Sequence, residues 1–564
     1  MEETTLISPT DIELFMRGVH YELYNLLGAH QKEGGVHFAL WAKNAAQVYL
    51  AGDFNQWQEK SLPMHRNEAG IWDIFVPGVA EGSQYKYVIE TKEGHLLWKA
   101  DPFAFYSQLR PETASVVANV DGYEWAPFEH NKEGPISIYE VHIGSWKKGL
   151  GYRDAAHALA KYCIDLGFTH IELMPITEYP LDASWGYQVS GYFAPTARYG
   201  TVRDFQYFVD HMHKNGIGVI LDWVPSHFPT DGFSLAQFDG TPLFEYSHPL
   251  MGFHPQWNTY IFDYASPRVC NFLLASALFW FDKYHIDGLR IDAVESIIMR
   301  DFAKQDFIPN IHGGRENLEA MNFLKHLNAA VKERYPNAIM CAEDSSYHAG
   351  ITHQEGLNFD YKWALGWMTD TFNFFQTPFE HRDLSRITCI FDYIFTERFI
   401  VPLSHDEVVH EKRSLLEKMP GDEGQKLAGL RMLFAWMFCS PGRPLLFMGA
   451  EIAQKGEWNF SESLDWEHAN NQIQKCLRDL NQIYCSGLFE SDFDAGMKWE
   501  VGEYFTLRRG GYVALFNFTT NAYSVDVPQG AFTTDNPEYG GMGRAGLPPL
   551  TTIIYDEKRI SKPA

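Results

Sequence analysis

The feature that most limits the fold is a long alternation, from about residue 136 to residue 447, of short apolar runs with stretches of helical period. The strand-like runs are Ile136–Val141, His170–Met174, Gly218–Trp223, Gly288–Asp292, Ala338–Ala342, a weaker one near Asn358–Trp363, Phe399–Leu403 and Pro444–Phe447. Between them, Leu318, Met321, Leu324, Leu327 and Val331 keep one helical face, and Leu427, Leu430, Leu433 and Met437 keep another. A strand that returns through a helix runs parallel to its predecessor, and eight such units close into a barrel. The expected fold class is α/β, a (β/α)8 barrel. A doubly wound open sheet is the alternative, but no Gly-x-Gly-x-x-Gly follows a strand and no Walker loop occurs.

Short alternating runs flank this region. Val36–Trp41, Gln47–Ala51 and Gln84–Ile89 are strand-like and broken by turn formers, which predicts a small N-terminal β-sandwich. The polar stretch EWAPFEHNKEG, from Glu124 to Gly134, lacks periodicity and marks a boundary. Short strands return after about Leu488, in Tyr504–Arg508 and Tyr512–Phe518, before a Gly/Pro-rich tail. The expected domains are 1–123, 124–486 and 487–564, with a second β-sandwich last.

Composition narrows the partners. A net charge of −26 repels nucleic acid, phosphorylated polymers and anionic membranes at long range, so a neutral or small substrate fits better. The 16 Trp and 29 Tyr suit a protein that stacks on flat apolar faces, sugar rings included. Seven scattered cysteines without a Cys-x-x-Cys pair read as reduced thiols of a cytoplasmic protein, with no zinc ribbon. The acidic start Met1-Glu2-Glu3 is unlike a signal peptide, and no apolar stretch is long enough to cross a bilayer.

Catalytic groups of such barrels sit where strands end at the C-terminal face, so polar residues that close apolar runs are the candidates. They are Asp222 with His227 in LDWVPSH, Arg290 with Asp292 in DGLRIDA, Glu343 in IMCAED, and His405 with Asp406 in PLSHDE. Arg290 and Asp292 are two apart on a strand and point the same way, so the guanidinium is expected to keep Asp292 ionised, as a covalent nucleophile must be. A buried ion pair bracing the barrel is the competing reading. Glu343 follows an apolar run, and desolvation there is expected to keep it protonated as an acid. The competing reading is a helix N-cap region at Glu343–Ser346. His405 and Asp406 suit a metal site, a triad fragment or a clamp for sugar hydroxyls. No His-Glu-x-x-His and no Gly-x-Ser-x-Gly supports the first two.

These segments, in this order, resemble the four characteristic regions of the α-amylase clan of retaining glycosidases and transglycosidases. YEVHIGSW, ELMPITEYPLDASWGYQVSGYFAPTARYG, LDWVPSHFPTD, PNIHGGRENLEAMNFL and PLSHDEVVH are similar to 1,4-α-glucan branching enzymes in particular. The resemblance implies that Asp292 forms the glycosyl-enzyme, Glu343 is the general acid/base and Asp406 stabilises the distorted sugar. It implies that His227 and His405 bind that sugar's hydroxyls, Arg290 orients Asp292, Asp222 sits beside them and Tyr187 stacks on the ring. It further implies an α-glucan donor and acceptor, no cofactor and no catalytic metal; a monomer is expected. The N-terminal sandwich resembles a glycogen-binding module, in which Trp41, Trp57 and Trp72 are either sugar platforms or core.

Two departures stand out. AEDSS replaces a Glu-Ser-Thr ending after the acid/base, and His410-Glu411-Lys412 replaces the more common His-Gly-Lys. Both leave the acids intact and bear on loops bordering the acceptor groove. The acid trio alone does not separate branching from hydrolysis by the same clan, nor does composition exclude an inactive glucan-binding scaffold.

Overall fold

The computed structural model describes residues 7–488 and 497–557; the acidic start noted above lies outside them. Eight strands close a barrel: β1 (Ile138–Val141), β2 (His170–Leu173), β3 (Gly218–Trp223), β4 (Gly288–Ile291), β5 (Ile339–Ala342), β6 (Tyr361–Trp363), β7 (Phe399–Leu403) and β8 (Arg443–Phe447). Every neighbour pair is parallel, and β8 returns to β1 through Ile138 opposite Leu445. Closure removes the open-sheet alternative. The barrel interior is packed, not hollow: Ile138, Ile220, Ile339, Cys341, Trp363, Ile400 and Leu445 fill it.

The helices wrap this cylinder because each carries a buried stripe. Tyr152–Leu166 buries Ala155, Ala156, Leu159, Ala160 and Cys163 on one face. Pro267–Tyr284 buries most of its length, since it lies between the barrel and the N-terminal β-domain. Its outer side meets that domain through Tyr24 and Phe105, whose rings pack on Phe279 at 5.3 Å each.

The N-terminal β-domain has two sheets, one built on Gly28–Lys32, Gly35–Trp41 and Ile71–Pro77, the other on Gln47–Gly52 and Gln84–Glu90. Phe38 and Tyr85 meet between them at 4.9 Å. Trp41 and Trp72 are buried in this core and are not sugar platforms; the indole of Trp72 donates to the carbonyl of Ala42. The C-terminal domain is a five-stranded antiparallel sheet over Lys498–Val501, Phe505–Arg509, Tyr512–Asn517, Phe532–Thr533 and Thr551–Asp556. One face packs Phe505, Phe516 and Phe518 on Trp436 of a barrel helix. Val513, Leu515 and Ile553 on the other face lie under Leu547 and Tyr523.

All seven cysteines are free, and no helix among the described residues is long and apolar enough to cross a membrane.

Candidate active site

At the C-terminal mouth of the barrel one guanidinium gathers three carboxylates. Arg290 of β4 is buried beneath the mouth, its cation 4.5 Å above the ring of Trp363. Its Nη1 donates to both oxygens of Asp222 at 2.7 Å and to Asp292 Oδ1 at 2.8 Å, and its Nη2 pairs with Glu343 at 3.0 Å. Residues i and i+2 of β4 share a face, so the strand itself places Arg290 under Asp292. Asp292, one residue past the strand, is pinned through its N–H to the carbonyl of Trp223 at 3.0 Å. Ala293 follows with φ of 51°, a left-handed turn unusual for a residue with a side chain. That turn aims the N–H of Ala293 at Glu343, which accepts it at 2.7 Å.

A second chain of contacts leads to the third acid. The Tyr187 hydroxyl donates to Asp222 at 2.7 Å and lies 3.2 Å from Nε2 of His405. The two rings stack at 5.6 Å. His405 Nε2 is 3.4 Å from Asp406, while its Nδ1 is 2.5 Å from Glu140 of β1. The structure thus links Asp292, Glu343, Asp222, Arg290, Tyr187, His405 and Asp406 in one network. His227 lies beside it, buried, with a hydrogen bond to the backbone of Tyr187 and its ring 4.9 Å from Trp257.

The electrostatics correct one expectation. Arg290 does not simply hold Asp292 ionised: burial, reinforced by the charges of Glu343 and Asp222, pushes the Asp292 carboxyl well above its ordinary value against the pull of Arg290. One cation serves three acids, so the cluster retains a proton. Asp222 is raised by burial to about 6, with Arg290 and Tyr187 opposing. Burial alone depresses His405, but Asp406 and Glu140 outweigh it and lift it to about 9. Burial similarly raises Asp406, yet His405 and Arg290 bring it below the usual carboxylate range. His227 is pushed down to about 3 by burial, and then by His254. Glu343 meets two partners, Arg290 and the Ala293 N–H, so it does not face a bare apolar wall.

Glu140 escaped the sequence reading because it lies inside a strand, not at the end of one. The available signal was a lone carboxylate within the apolar run Ile136–Val141. Trp185 also escaped; its ring stacks on His410 at 5.5 Å, meets Trp458 at 5.0 Å and lies edge-on to His405 at 6.0 Å. The His-Glu-Lys departure has a physical consequence, since Glu411 holds φ of 65°, where glycine fits without penalty. Glu457 braces that loop by accepting the N–H groups of Glu411 at 3.2 Å and Arg413 at 2.6 Å.

A second feature lies on the N-terminal domain. Trp57 and Trp98, 6.4 Å apart, line a surface cleft of about 340 Å³ with Lys86 and Gln84.

A closed parallel barrel with paired carboxylates at its C-terminal mouth, preceded by a two-sheet module, defines a class of carbohydrate-active protein. Residues 157–238 and 251–508 match the family Alpha amylase, catalytic domain, and residues 26–104 match Carbohydrate-binding module 48 (Isoamylase N-terminal domain). The chain is 46% identical to the 1,4-alpha-glucan branching enzyme GlgB of Protochlamydia amoebophila, over 97% of its own length and 82% of that protein's. It is 43% identical to the GlgB of Albidiferax ferrireducens, over 97% and 99% of the two chains. Its fold also matches a pullulanase from Bacillus acidopullulyticus, with a TM-score of 0.70 at 16% identity over 94% and 74% of the chains. The chain belongs to the 1,4-alpha-glucan branching enzyme GlgB family.

Proposed function

We propose that this protein cuts an α-1,4-glucan, keeps the severed segment on Asp292 and delivers it to a 6-hydroxyl, forming an α-1,6 branch during glycogen synthesis. In the first step an Asp292 oxygen attacks the anomeric carbon, the glucosidic C–O bond breaks, and Glu343 gives its proton to the departing oxygen. In the second, Glu343 takes the proton of the acceptor's 6-hydroxyl, that oxygen attacks the same carbon, and the bond to Asp292 breaks. Configuration is retained.

The observation that carries this reading is the bridging of Asp292 and Glu343 by a single guanidinium. It keeps the two carboxyl groups close, which favours a double displacement, for which they stand about 5–5.5 Å apart, over a single one that needs roughly 6.5–9.5 Å. Glu343 is seated between Arg290 and the Ala293 N–H, facing the same guanidinium as the nucleophile. Arg290 pulls Asp292 toward the ionised form that the attack requires, against burial and the neighbouring charges. Asp406 and protonated His405 grip the sugar's hydroxyls, Tyr187 supports its ring and His227, beside Tyr187, donates to a further hydroxyl. Carboxyl groups supply both nucleophile and proton, so no cofactor is needed.

The domains are read as 1–123, 124–486 and 487–564, acting as a monomer in the cytoplasm. The Trp57 and Trp98 cleft is read as a docking place for glucan on the first of them, since flat rings at a surface suit the apolar faces of sugars.

Incubation with amylose tests the reading. Branching lowers the iodine colour with almost no new reducing ends, whereas water as acceptor raises reducing ends in step. Asp292→Ala is expected to lower both rates by at least about 10⁴-fold with the fold intact; an active variant removes Asp292 from its role.

A further inference from the structure

We infer that Tyr347, on the rim loop after β5, is the stacking platform for the glucan that accepts the transferred segment. The inference rests on the reading in which Glu343 activates the acceptor.

The side on which an acceptor arrives is fixed by Glu343, the group that takes its proton. Tyr347 is four residues further along the same loop, so its backbone lies within about 14 Å of Glu343. Its side chain is 104% exposed, the most exposed large apolar group among the described residues. Beneath it the loop is braced. Lys362 pairs with Asp344 at 2.7 Å and donates to the carbonyl of Ser346 at 3.0 Å. The Ser346 hydroxyl donates to Asp344 at 2.9 Å and accepts the N–H of His348 at 3.2 Å. Ser345 donates to Glu295, which ties the loop to the helix Val294–Ile298 that follows Asp292.

That helix leads into the segment 299–317, which presents a second exposed apolar group. Ile311 is 85% exposed at a turn closed by Asn310, whose Oδ1 accepts the N–H groups of His312 at 2.9 Å and Gly314 at 3.0 Å. A single exposed apolar residue on a flexible loop carries no message. Tyr347 stands instead on a braced loop just past the acid/base, a preorganised surface that costs little further ordering when a sugar settles on it. A tyrosine there offers a flat apolar face at a low entropy cost. The chain leaving in the first step departs from this side too, but the donor is also held beyond Asp292, so the acceptor depends on the platform more.

The test uses the full chain, saturating amylose as donor, and a short end-labelled α-1,4-glucan as acceptor. Branch transfer to the label and new reducing ends are both followed. Tyr347→Ala is expected to raise the acceptor concentration for half-maximal transfer roughly two- to tenfold. It also raises the share of segments lost to water, without lowering the thermal midpoint, because the ring packs on nothing. Tyr347→Trp restores transfer, and Ile311→Ser gives a smaller rise than Tyr347→Ala. An unchanged acceptor half-saturation in Tyr347→Ala, with wild-type branching present, overturns the platform alone. Absence of branching in the wild-type protein overturns the reading of the whole site and the platform with it.

Discussion

Arg290 shows why individual residues here cannot be judged by one partner. It touches Asp222, Asp292 and Glu343 at once, so the protonation of each depends on the others. The polar residues that close apolar runs were legible because a barrel puts strand ends at one mouth. The upward shift of Asp292 was not, since it arises from burial in the assembled mouth, reinforced by carboxylates brought together from segments far apart in the chain. Glu140 makes the same point: its partner His405 is 265 residues away. His405 stands at about 9 against an ordinary 6.5, so its protonated form, and any activity that needs it, is whole below 6.5 and lost as pH rises through about 9. Glu140→Gln is expected to move that alkaline limb down toward 6.5 and to cut kcat/KM about tenfold or more near neutrality. Glu172, opposite Glu140 in register, has no protein hydrogen-bond partner for either carboxyl oxygen among the described residues. Burial pushes its pKa well up and keeps it neutral, so Glu172→Gln leaves the profile in place. Coincident pH profiles for Glu140→Gln and wild type contradict the assignment of Glu140.

At the scale of elements, the eight barrel strands were readable to within a residue or three, because strand runs and helical faces differ in period. The segment 124–134 was readable only as a break in pattern. It is a strap wedged across the barrel floor: Trp125 stacks on His285 at 4.2 Å and Phe128 on His213 at 4.0 Å. His130 Nε2 meets His170 Nε2 at 2.7 Å, a distance that admits one proton between the two rings. Irregular chain has no period to announce such stacking. Burial, and then His130, lowers His170 to about 3, so the folded protein keeps it neutral. Its contribution is whole above 6.5 and is lost as pH falls toward 3, because the unfolded chain takes up a proton that the folded chain refuses. The loss is about 1.4 kcal/mol at one unit below 6.5. The thermal midpoint of the wild type is expected to drop more steeply between pH 7.5 and 5.5 than that of His170→Gln. Parallel slopes contradict this account of the strap.

Over the whole molecule, the flanking domains are fastened to the barrel by buried cations. Lys99 donates to the carbonyls of Gly232 and Ala236 at 2.7 Å and of Ser234 at 3.2 Å, holding the first domain to a rim loop after β3. Arg509 donates to the carbonyls of Phe438 and Ser440, holding the last to the end of a barrel helix. The architecture was visible in the sequence as a change of period at each boundary, whereas these fastenings, being single side chains reaching distant carbonyls, were not. The net charge of −26 leaves a neutral polymer such as glucan free to approach a strongly acidic protein.

On this mechanism a glucan segment rests covalently on Asp292 between two displacements. The most direct measurement uses the full chain with Glu343→Gln, an α-maltosyl fluoride whose leaving group needs no acid, and peptide mass analysis after rapid quenching. A maltosyl adduct is expected on the peptide that contains Asp292. An adduct on another residue, or turnover of the fluoride with no adduct at any time, contradicts it.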